Sequence, residues 1–324
     1  MRRAKFFGVF GVVAFCWVLA AQAQRAPMPV VGFLGSADPV GYKPQMDALR
    51  LGLSDRGYVE GRTIAIEYRW AEDQYDRLPA LAADLVRRKV SIIITQGTPA
   101  ALAAKQATTT IPIVMAIVGN PIETGIVESL ARPGGNITGS SFLFAEINAK
   151  RLEFIKELMP SLTRAAVFLN PDNPAMPSIV HSMMQMAKAI NITLQTIDVR
   201  RADELDEAFD RARLQVEAFI VVDDGLFVAH RRRIAELAIK SRLPGVGFWE
   251  FCEAGGLAAY GVDFPDIWRS AGTFVDKILK GAKPADLPIE QATQFEFAIN
   301  LQSAKAIGFD VSPTMSARAN QIIE

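Results

Sequence analysis

Residues 90–121 read VSIIITQGTPAALAAKQATTTIPIVMAIVGNP, and the architecture of the whole chain can be worked out from them. A continuous apolar run at 90–95 is followed by an alanine-rich helical segment at 99–106 and by a second apolar run at 111–118. Apolar runs without polar alternation are typical of strands buried on both faces of a parallel sheet. The stretch therefore predicts a β-α-β unit.

The same alternation of strands and helices extends in both directions from this unit. Before it, we predict strands at 30–34 and 63–68 and helices at 45–57 and 78–88. After it, a second set follows, with strands at 165–169, 193–199, 218–222 and 245–248 and helices at 178–189, 205–213 and 230–241. Two such sets predict an α/β fold made of two Rossmann-like lobes with parallel sheets.

Three less regular regions link the two sets, at 136–144, at 258–262 and from 281 to the predicted strand at 295–299. They indicate that the chain passes between the lobes three times, which makes a three-crossover hinge suited to closure around a ligand. We assign 28–140 and 263–285 to the N-terminal lobe. The C-terminal lobe takes 141–262 and 286–324.

The N-terminus has the features of an export signal. Arg2, Arg3 and Lys5 precede an apolar run at 8–20, which is short for a membrane span, and Ala21-Gln22-Ala23 has the small-x-small pattern of a cleavage site. We predict that residues 1–23 are a signal peptide rather than a membrane anchor and that the mature protein is periplasmic.

Charge and cysteine content exclude several classes of protein. Lys and Arg together number 35, as do Asp and Glu, so the chain has no basic surplus for binding nucleic acid. Cys16 belongs to the predicted signal, which leaves Cys252 as the one cysteine of the mature chain and excludes an intramolecular disulfide.

Sequence motifs for catalysis and cofactor binding are missing from the chain. There is no G-x-G-x-x-G, no P-loop and no G-x-S-x-G elbow. The two histidines, His181 and His230, are expected on exposed helix surfaces, and no Cys/His cluster has zinc spacing. We therefore expect no catalytic residue, no metal and no cofactor.

The candidate ligand-binding residues follow the predicted strands. Ligands of open parallel sheets lie beyond the carboxyl ends of the strands, so residues at these ends are expected to face the cleft. The candidates are Ser36, Gln96, Gly97, Thr98, Asn120, Asn170, Asp223, Asp224, Trp249 and Tyr260.

Each group of candidates has two interpretations. Thr98-Pro99 suits an N-cap and first turn whose free N–H groups bind a carboxylate, or simply a capped helix. Asp223 and Asp224 can hold an ammonium group or cap the next helix. Trp249 and Tyr260 can contact a planar ligand or pack in the core. An anion site on one lobe and an acidic site on the other would suit an amino acid.

Several short motifs, in this order, resemble a known family. They are PVVGFLGS (29–36), GYVEG (57–61), IEYRWA (66–71), YDRLPALAADLV (75–86), GTPAALAAK (97–105), GNPI (119–122), RPGGNITG (132–139), KRLE (150–153), AGGL (254–257), YG (260–261) and PADLP (284–288). Together they resemble the ABC-transporter substrate-binding proteins of the TrpX-like group. The resemblance covers essentially the whole mature chain.

The resemblance implies a type 1 periplasmic binding fold that captures a small solute, an amino acid or an aromatic or carboxylate compound, between its lobes. It also implies a monomer that delivers the solute to an ABC permease with its ATPase subunits. Some relatives are associated with aromatic amino acids. Where many relatives have Gly-Asp-Pro, this chain has Asn120 in the middle position, which removes a charge near the proposed anion site.

Transport has two alternatives, a sensory function and an enzymatic one. A periplasmic sensory module that reports its ligand to a sensor kinase or chemoreceptor would have the same fold. An enzyme on this scaffold is disfavoured because the chain has neither a cofactor fingerprint nor a catalytic triad.

Overall fold

The computed structural model describes residues 28–324, and the predicted signal peptide at 1–23 lies outside this part of the chain. The first elements are β1 (Val30–Gly35), α1 (Lys43–Ser54), β2 (Ala65–Trp70), α2 (Leu78–Arg87), β3 (Ile92–Gln96), α3 (Gly97–Ala107), β4 (Ile113–Gly119) and β5 (Ile137–Phe142). The next are α4 (Phe144–Leu158), β6 (Arg164–Leu169), α5 (Met176–Ala189), β7 (Thr193–Asp198), α6 (Leu205–Gln215), β8 (Ala218–Val221), α7 (Gly225–Ala229), α8 (Arg231–Ser241), β9 (Gly245–Gly247), α9 (Trp249–Glu253) and β10 (Ala258–Gly261). The last are α10 (Phe264–Leu279), β11 (Glu290–Gln291), β12 (Glu296–Asn300), α11 (Leu301–Ile307), α12 (Pro313–Arg318) and β13 (Gln321–Ile323).

The first lobe is built on a six-stranded parallel sheet in the order β11-β5-β4-β3-β1-β2. Its central strands are buried on both faces. Ile92 and Ile94 of β3 pack in the core that α1 and α10 cover, whereas Ile93 packs in a second core beneath α2 and α3. This two-sided burial explains why the strand is continuously apolar instead of alternating.

The second lobe is built on a seven-stranded sheet in the order β13-β12-β10-β9-β8-β6-β7. Among these strands β12 runs antiparallel to β10, and the other pairs are parallel. Its core contains a cluster of phenylalanine rings, in which Phe209 lies edge-on to both Phe168 and Phe219 at centroid distances of 4.9 and 5.2 Å. The predicted two-lobed α/β fold is confirmed.

The chain crosses between the two sheets three times. It leaves the first sheet after Phe142, returns from β10 into α10, which packs on α1, and crosses again after β11. Residues 286–324 are predicted in the C-terminal lobe, but β11 within this range pairs with β5 in the first sheet. This edge strand has only two polar residues, so no apolar pattern reveals it. The other lobe boundaries remain a prediction.

Helices α1 and α10 approach each other closely through two glycines. A Cβ atom on Gly52 would lie 2.0 Å from the carbonyl oxygen of Arg269, and one on Gly272 would lie 2.4 Å from the backbone of Gly52. Side chains at these positions would push the helices apart. The second crossover is thereby fixed to the first lobe.

Candidate functional site

A small cavity lies between the lobes at the carboxyl ends of the strands. From the first lobe it is lined by residues that include Ser36 after β1 and Gly97 after β3, and from the second lobe by Asn173 and Asp223. Its volume is about 30 Å³. That is room for on the order of two water molecules. The lobes are therefore closed on one another, and an amino acid can enter only if they part or the lining side chains move.

The first-lobe floor of the cavity is a neutral hydrogen-bonded chain of Ser36, Gln96 and Tyr42. Gln96 Oε1 accepts from the Ser36 amide and hydroxyl, both at 2.9 Å, and Gln96 Nε2 donates to the Tyr42 hydroxyl oxygen at 3.1 Å. Burial raises the pKa of Tyr42 well above its ordinary value, and Asp224 adds to this effect. Tyr42 therefore stays protonated and keeps its own O–H available to a ligand.

The first turn of α3 also lines the cavity, through Gly97, Thr98 and Pro99. The helix begins at Gly97 with Gln96 as its N-cap, so Thr98 lies inside the first turn instead of capping it. The Thr98 hydroxyl donates to the Gly119 carbonyl at 3.4 Å. The first N–H groups of a helix have no partner within the helix, so this turn still suits a carboxylate.

On the second lobe, Asp223 is already paired with a buried arginine. Arg151 of α4 donates from Nη1 and Nη2 to the two Asp223 carboxylate oxygens at 2.5 and 2.8 Å, and the two side chains are 0% and 2% exposed. Arg151 also donates to the carbonyls of Tyr260 and Val221. The charge of Asp223 is therefore balanced by Arg151, which weakens it as a site for a ligand ammonium group.

Asp224 caps α7 and contacts the other lobe. Its carboxylate accepts from the Leu226 amide at 3.0 Å, from Asn173 Nδ2 at 2.8 Å and, across the cleft, from the Tyr75 hydroxyl at 2.7 Å. Burial raises the pKa of Asp224 to about 6, although these three donors oppose the shift. Asp224 thus has the capping role that the sequence analysis left open, together with a role between the lobes.

The aromatic residues at the cavity are not the ones predicted. Tyr42, Phe142, Phe144, Phe264 and Trp268 line it. All five are deeply buried. Tyr42 comes from the loop before α1. Phe142 and Phe144 come from the predicted link at 136–144, and Phe264 and Trp268 come from the start of α10, just after the predicted link at 258–262. The sequence signal that could have identified these residues is the presence of aromatic residues in the crossover regions, next to predicted strand ends.

Four predicted site residues lie elsewhere. Trp249 packs with Cys252 and Ile323 near β13, and Tyr260 stacks on Phe295 and packs at a tilt against Phe154. The side chains of Asn170 and Asn120 are used locally. Asn170 is buried and accepts from the Asp172 amide at 3.1 Å, whereas Asn120 is partly buried and donates to Glu123 at 2.9 Å. The structure brings Ser36, Gln96, Gly97, Thr98 and Asp223 to the cavity and places Asp224 beside it.

Further contacts join the lobes around the cavity. Arg231 donates to the Gly41 carbonyl at 2.6 Å, and Gln45 donates to Glu250 at 2.9 Å. His230 Nε2 lies 2.7 Å from Asp73 Oδ2, so His230 is an interlobe residue rather than an ordinary surface residue as predicted. The residues that make these polar contacts lie in loops and near helix ends. The contacts can therefore break together when the lobes part.

A wider hollow of about 280 Å³ lies at the crossovers, outside the cleft. It is lined by four carboxylates, those of Asp263, Asp266, Glu290 and Glu296, and opens to solvent. We favour the smaller cavity as the site because both lobes enclose it at their strand ends. Within the described chain, no group of three or more His, Cys, Asp or Glu side chains could hold a metal ion.

Comparisons with known proteins agree with this architecture. Residues 38–323 match the family described as ABC transporter substrate binding protein. The chain is 29% identical over 269 residues to the tyrosine-binding protein of Clostridioides difficile (strain R20291), which covers 82% of this chain and 77% of that protein.

Solved structures share the fold. The ABC domain in complex with L-Trp from Streptococcus pneumonia superposes with a TM-score of 0.81 at 24% identity, covering 90% of this chain and all of that one. A conserved domain protein from Vibrio cholerae has a TM-score of 0.84 at 24% identity, covering 91% of this chain and 99% of that one.

The chain belongs to the ABC transporter substrate-binding protein family. Proteins of this family bind small solutes and work with ABC permease components, so this protein is a binding protein and not an enzyme. The resemblance seen in the sequence motifs is confirmed. Across residues 28–324, no helix is long and apolar enough to cross a bilayer.

Proposed function

We propose that this protein is the periplasmic receptor of an ABC importer for an aromatic amino acid. The observation that carries the proposal is the aromatic lining of the interlobe cavity above a neutral polar floor. The tyrosine-binding relative supports the same class of ligand. Asn120, which stands where many relatives have aspartate, is not among the residues that line the cavity, and its side chain donates to Glu123.

The lining suits a ligand with no net charge. Asp223 is the one carboxylate among the residues that line the cavity, and Arg151 balances it. A ligand carboxylate would bind to the first turn of α3 and the Tyr42 hydroxyl, and the aromatic ring would lie between Phe144 and Trp268. Oxygens of the second lobe that retain free lone pairs, such as Asp223 Oδ1, would accept from the ammonium group.

Transport would follow from closure of the lobes. In the proposed cycle the open protein takes up the amino acid, closes through the interlobe hydrogen bonds and presents both lobes to the permease. Differential affinity of the ligand for the closed state drives this change. In this proposal the protein is a monomer, and residues 1–23 are removed on export so that the mature chain begins at Gln24.

Calorimetry with a panel of amino acids tests the ligand class. We expect L-tyrosine, L-tryptophan or L-phenylalanine to bind with a Kd on the order of micromolar, and L-glutamate and L-lysine to bind at least tenfold more weakly. Phe144→Leu should weaken binding about tenfold, because part of the ring contact is lost. Phe295→Leu, a change of the same kind outside the cavity, should not. Failure of all three aromatic amino acids to bind the folded protein would contradict the proposal.

A further inference from the structure

Gln45 and Glu250 meet between the lobes in a buried contact that has too few hydrogen-bond donors for its acceptors. Gln45 lies on α1 of the first lobe and is 0% exposed, and Glu250 lies on α9 of the second lobe and is 4% exposed. Gln45 Nε2 donates to Glu250 Oε1 at 2.9 Å. The other oxygen of each group, Gln45 Oε1 and Glu250 Oε2, is buried with no hydrogen-bond partner.

A proton on Glu250 would correct this mismatch. An ionised carboxylate and an amide oxygen can only accept, whereas a protonated carboxyl has one O–H donor. If Glu250 is protonated, its O–H can donate to an oxygen that has no donor while Glu250 is ionised. No carboxylate charge is then buried. Turning the Gln45 amide over exchanges its donor and acceptor but adds no donor to the pair.

We propose that Gln45 and Glu250 form a proton-binding latch, in which a proton carried by Glu250 joins the lobes, so that closure of the cleft takes up a proton. The proposal rests on the proposed function in that it takes the closed cleft to be one state of an opening and closing receptor. It adds that acidity favours capture and that rising pH favours release.

The charges around Glu250 come from several elements. Arg231 of α8 attracts the carboxylate, but its guanidinium already donates to the carbonyls of Gly41 and Val228. Asp223, after β8, repels the carboxylate, although Arg151 of α4 balances much of its charge.

The first lobe contributes groups that are neutral or already paired. Tyr42 faces the same region, interacts with Glu250, Asp224 and Asp73, and stays neutral. Asp73 is paired with His230. Desolvation dominates at Glu250 and raises its pKa to about 7 from an ordinary value of 4.5, although the backbone N–H of Glu250 itself, Arg231 and Gln45 all favour the carboxylate.

The direction of the pH effect follows from this shift. The closed state holds the proton more tightly than the open state, in which the carboxyl is solvated. Closure is therefore favoured as pH falls from about 7 towards 4.5, and across this window the closing equilibrium changes by up to about tenfold per pH unit. Above this window closure must bury the carboxylate ion.

The distance between spin labels on the two lobes tests the latch. Val40 and Leu214 are 83% and 76% exposed on different lobes and can be changed to cysteine, whereas Cys252 is 0% exposed. Pulsed dipolar spectroscopy on the ligand-free chain without residues 1–23 then gives the closed fraction at pH 5.5 and pH 8. For the wild type we expect a closed-to-open ratio on the order of 30-fold larger at pH 5.5, because about 1.5 pH units of the window lie between the two pH values.

Two variants and two controls make the test specific. Glu250→Gln places an N–H₂ donor where the proton would lie, so its closed fraction at pH 8 should rise most of the way to that of the wild type at pH 5.5, and the small remaining pH response is that of Asp224, whose pKa burial raises to about 6. Gln45→Met removes the partner and should leave the lobes mostly open at both pH values. Glu253→Gln, an exposed change on the same helix, should behave as the wild type. His230→Gln should keep the part of the difference in closed fraction between pH 5.5 and pH 8 that is due to Glu250.

A wild-type closed fraction that does not change between pH 5.5 and 8 would overturn the proposal. So would an undiminished pH response in Glu250→Gln, or a Gln45→Met variant that closes as far as the wild type does at pH 5.5; either result suffices if the other variant does not fold. Because no ligand is present in these measurements, a cleft that binds no aromatic amino acid would refute the proposed function and leave this test intact.

Discussion

At the scale of single residues, the ion pair of Arg151 and Asp223 changes how the cleft is interpreted. An aspartate at a strand end is a natural candidate for a ligand ammonium group, and the sequence analysis named it as one. Its partner comes from 72 positions earlier in the chain, on α4. The pair holds the ends of β8 and β10 together through the carbonyls of Val221 and Tyr260. The main role of Asp223 is therefore structural, because its pair with Arg151 fixes the shape of the cleft.

The Asp223→Asn variant should be strongly destabilised. Removal of one partner leaves the Arg151 charge buried without compensation, which costs about 3–5 kcal/mol. The free energy of unfolding from urea denaturation measures the loss. Asp210→Asn breaks the exposed pair with Arg213 and should cost less than about 1 kcal/mol. Equal losses in the two variants would show that the buried pair contributes no special stability.

This arrangement was only partly visible in the sequence. Arg151 lies four residues after Ile147 and four before Ile155, on the buried stripe of α4. A charged residue at such a position predicts a buried partner, but α4 itself was not predicted, because no element was assigned between the link at 136–144 and the strand at 165–169. Nothing in the local sequence connects Arg151 to Asp223, since the tertiary fold alone brings them together.

At the scale of secondary-structure elements, the loop before α1 controls how closely the lobes approach. A Cβ atom on Gly41 would lie 2.4 Å from both the Cα atom and the carbonyl oxygen of Ala229, at the end of α7 in the other lobe. Gly41 has no positive φ that would exclude alanine. The glycine is thus required by the closed state rather than by the loop itself.

The Gly41→Ala variant should fold normally and close poorly. We expect its affinity for the cleft ligand to fall by about tenfold or more, which corresponds to at least about 1.4 kcal/mol of closing free energy. Its melting temperature should stay near that of the wild type. Gly135→Ala is the matched control, because its Cβ atom would have no neighbour within 4 Å. An unchanged affinity in Gly41→Ala, measured by calorimetry, would argue against closure as seen here.

Most element positions follow from local patterns, but their ends depend on side-chain contacts. The helical segment predicted at 99–106 is α3, which begins two residues earlier. Thr98 is a residue type favoured at N-caps, yet Gln96 is the N-cap in the structure. The Gln96 side chain is hydrogen-bonded to Ser36. Propensity marks the region of a helix start, and tertiary hydrogen bonds select the residue.

At the scale of the whole molecule, the sequence predicts the two lobes well because buried parallel strands have a strong apolar signal. The weakest prediction concerned the last crossover, where β11 has two exposed polar residues and is recognised only by its pairing with β5. The expectation that ligands lie beyond the carboxyl ends of parallel strands also selected Ser36, Gln96, Gly97 and, in the other lobe, Asp223, which line one cavity. It could not choose the aromatic residues, since Phe264 and Trp268 reach the cavity from a crossover.

The whole account depends on a ligand held between the lobes. The most direct test is a crystal structure of the protein grown with L-tyrosine or L-tryptophan. The account predicts the carboxylate at the first turn of α3 near Gly97 and the ring against Phe144 and Trp268, with the lobes closed over it. An amino acid bound in the hollow at the crossovers, or on one lobe alone, would contradict it.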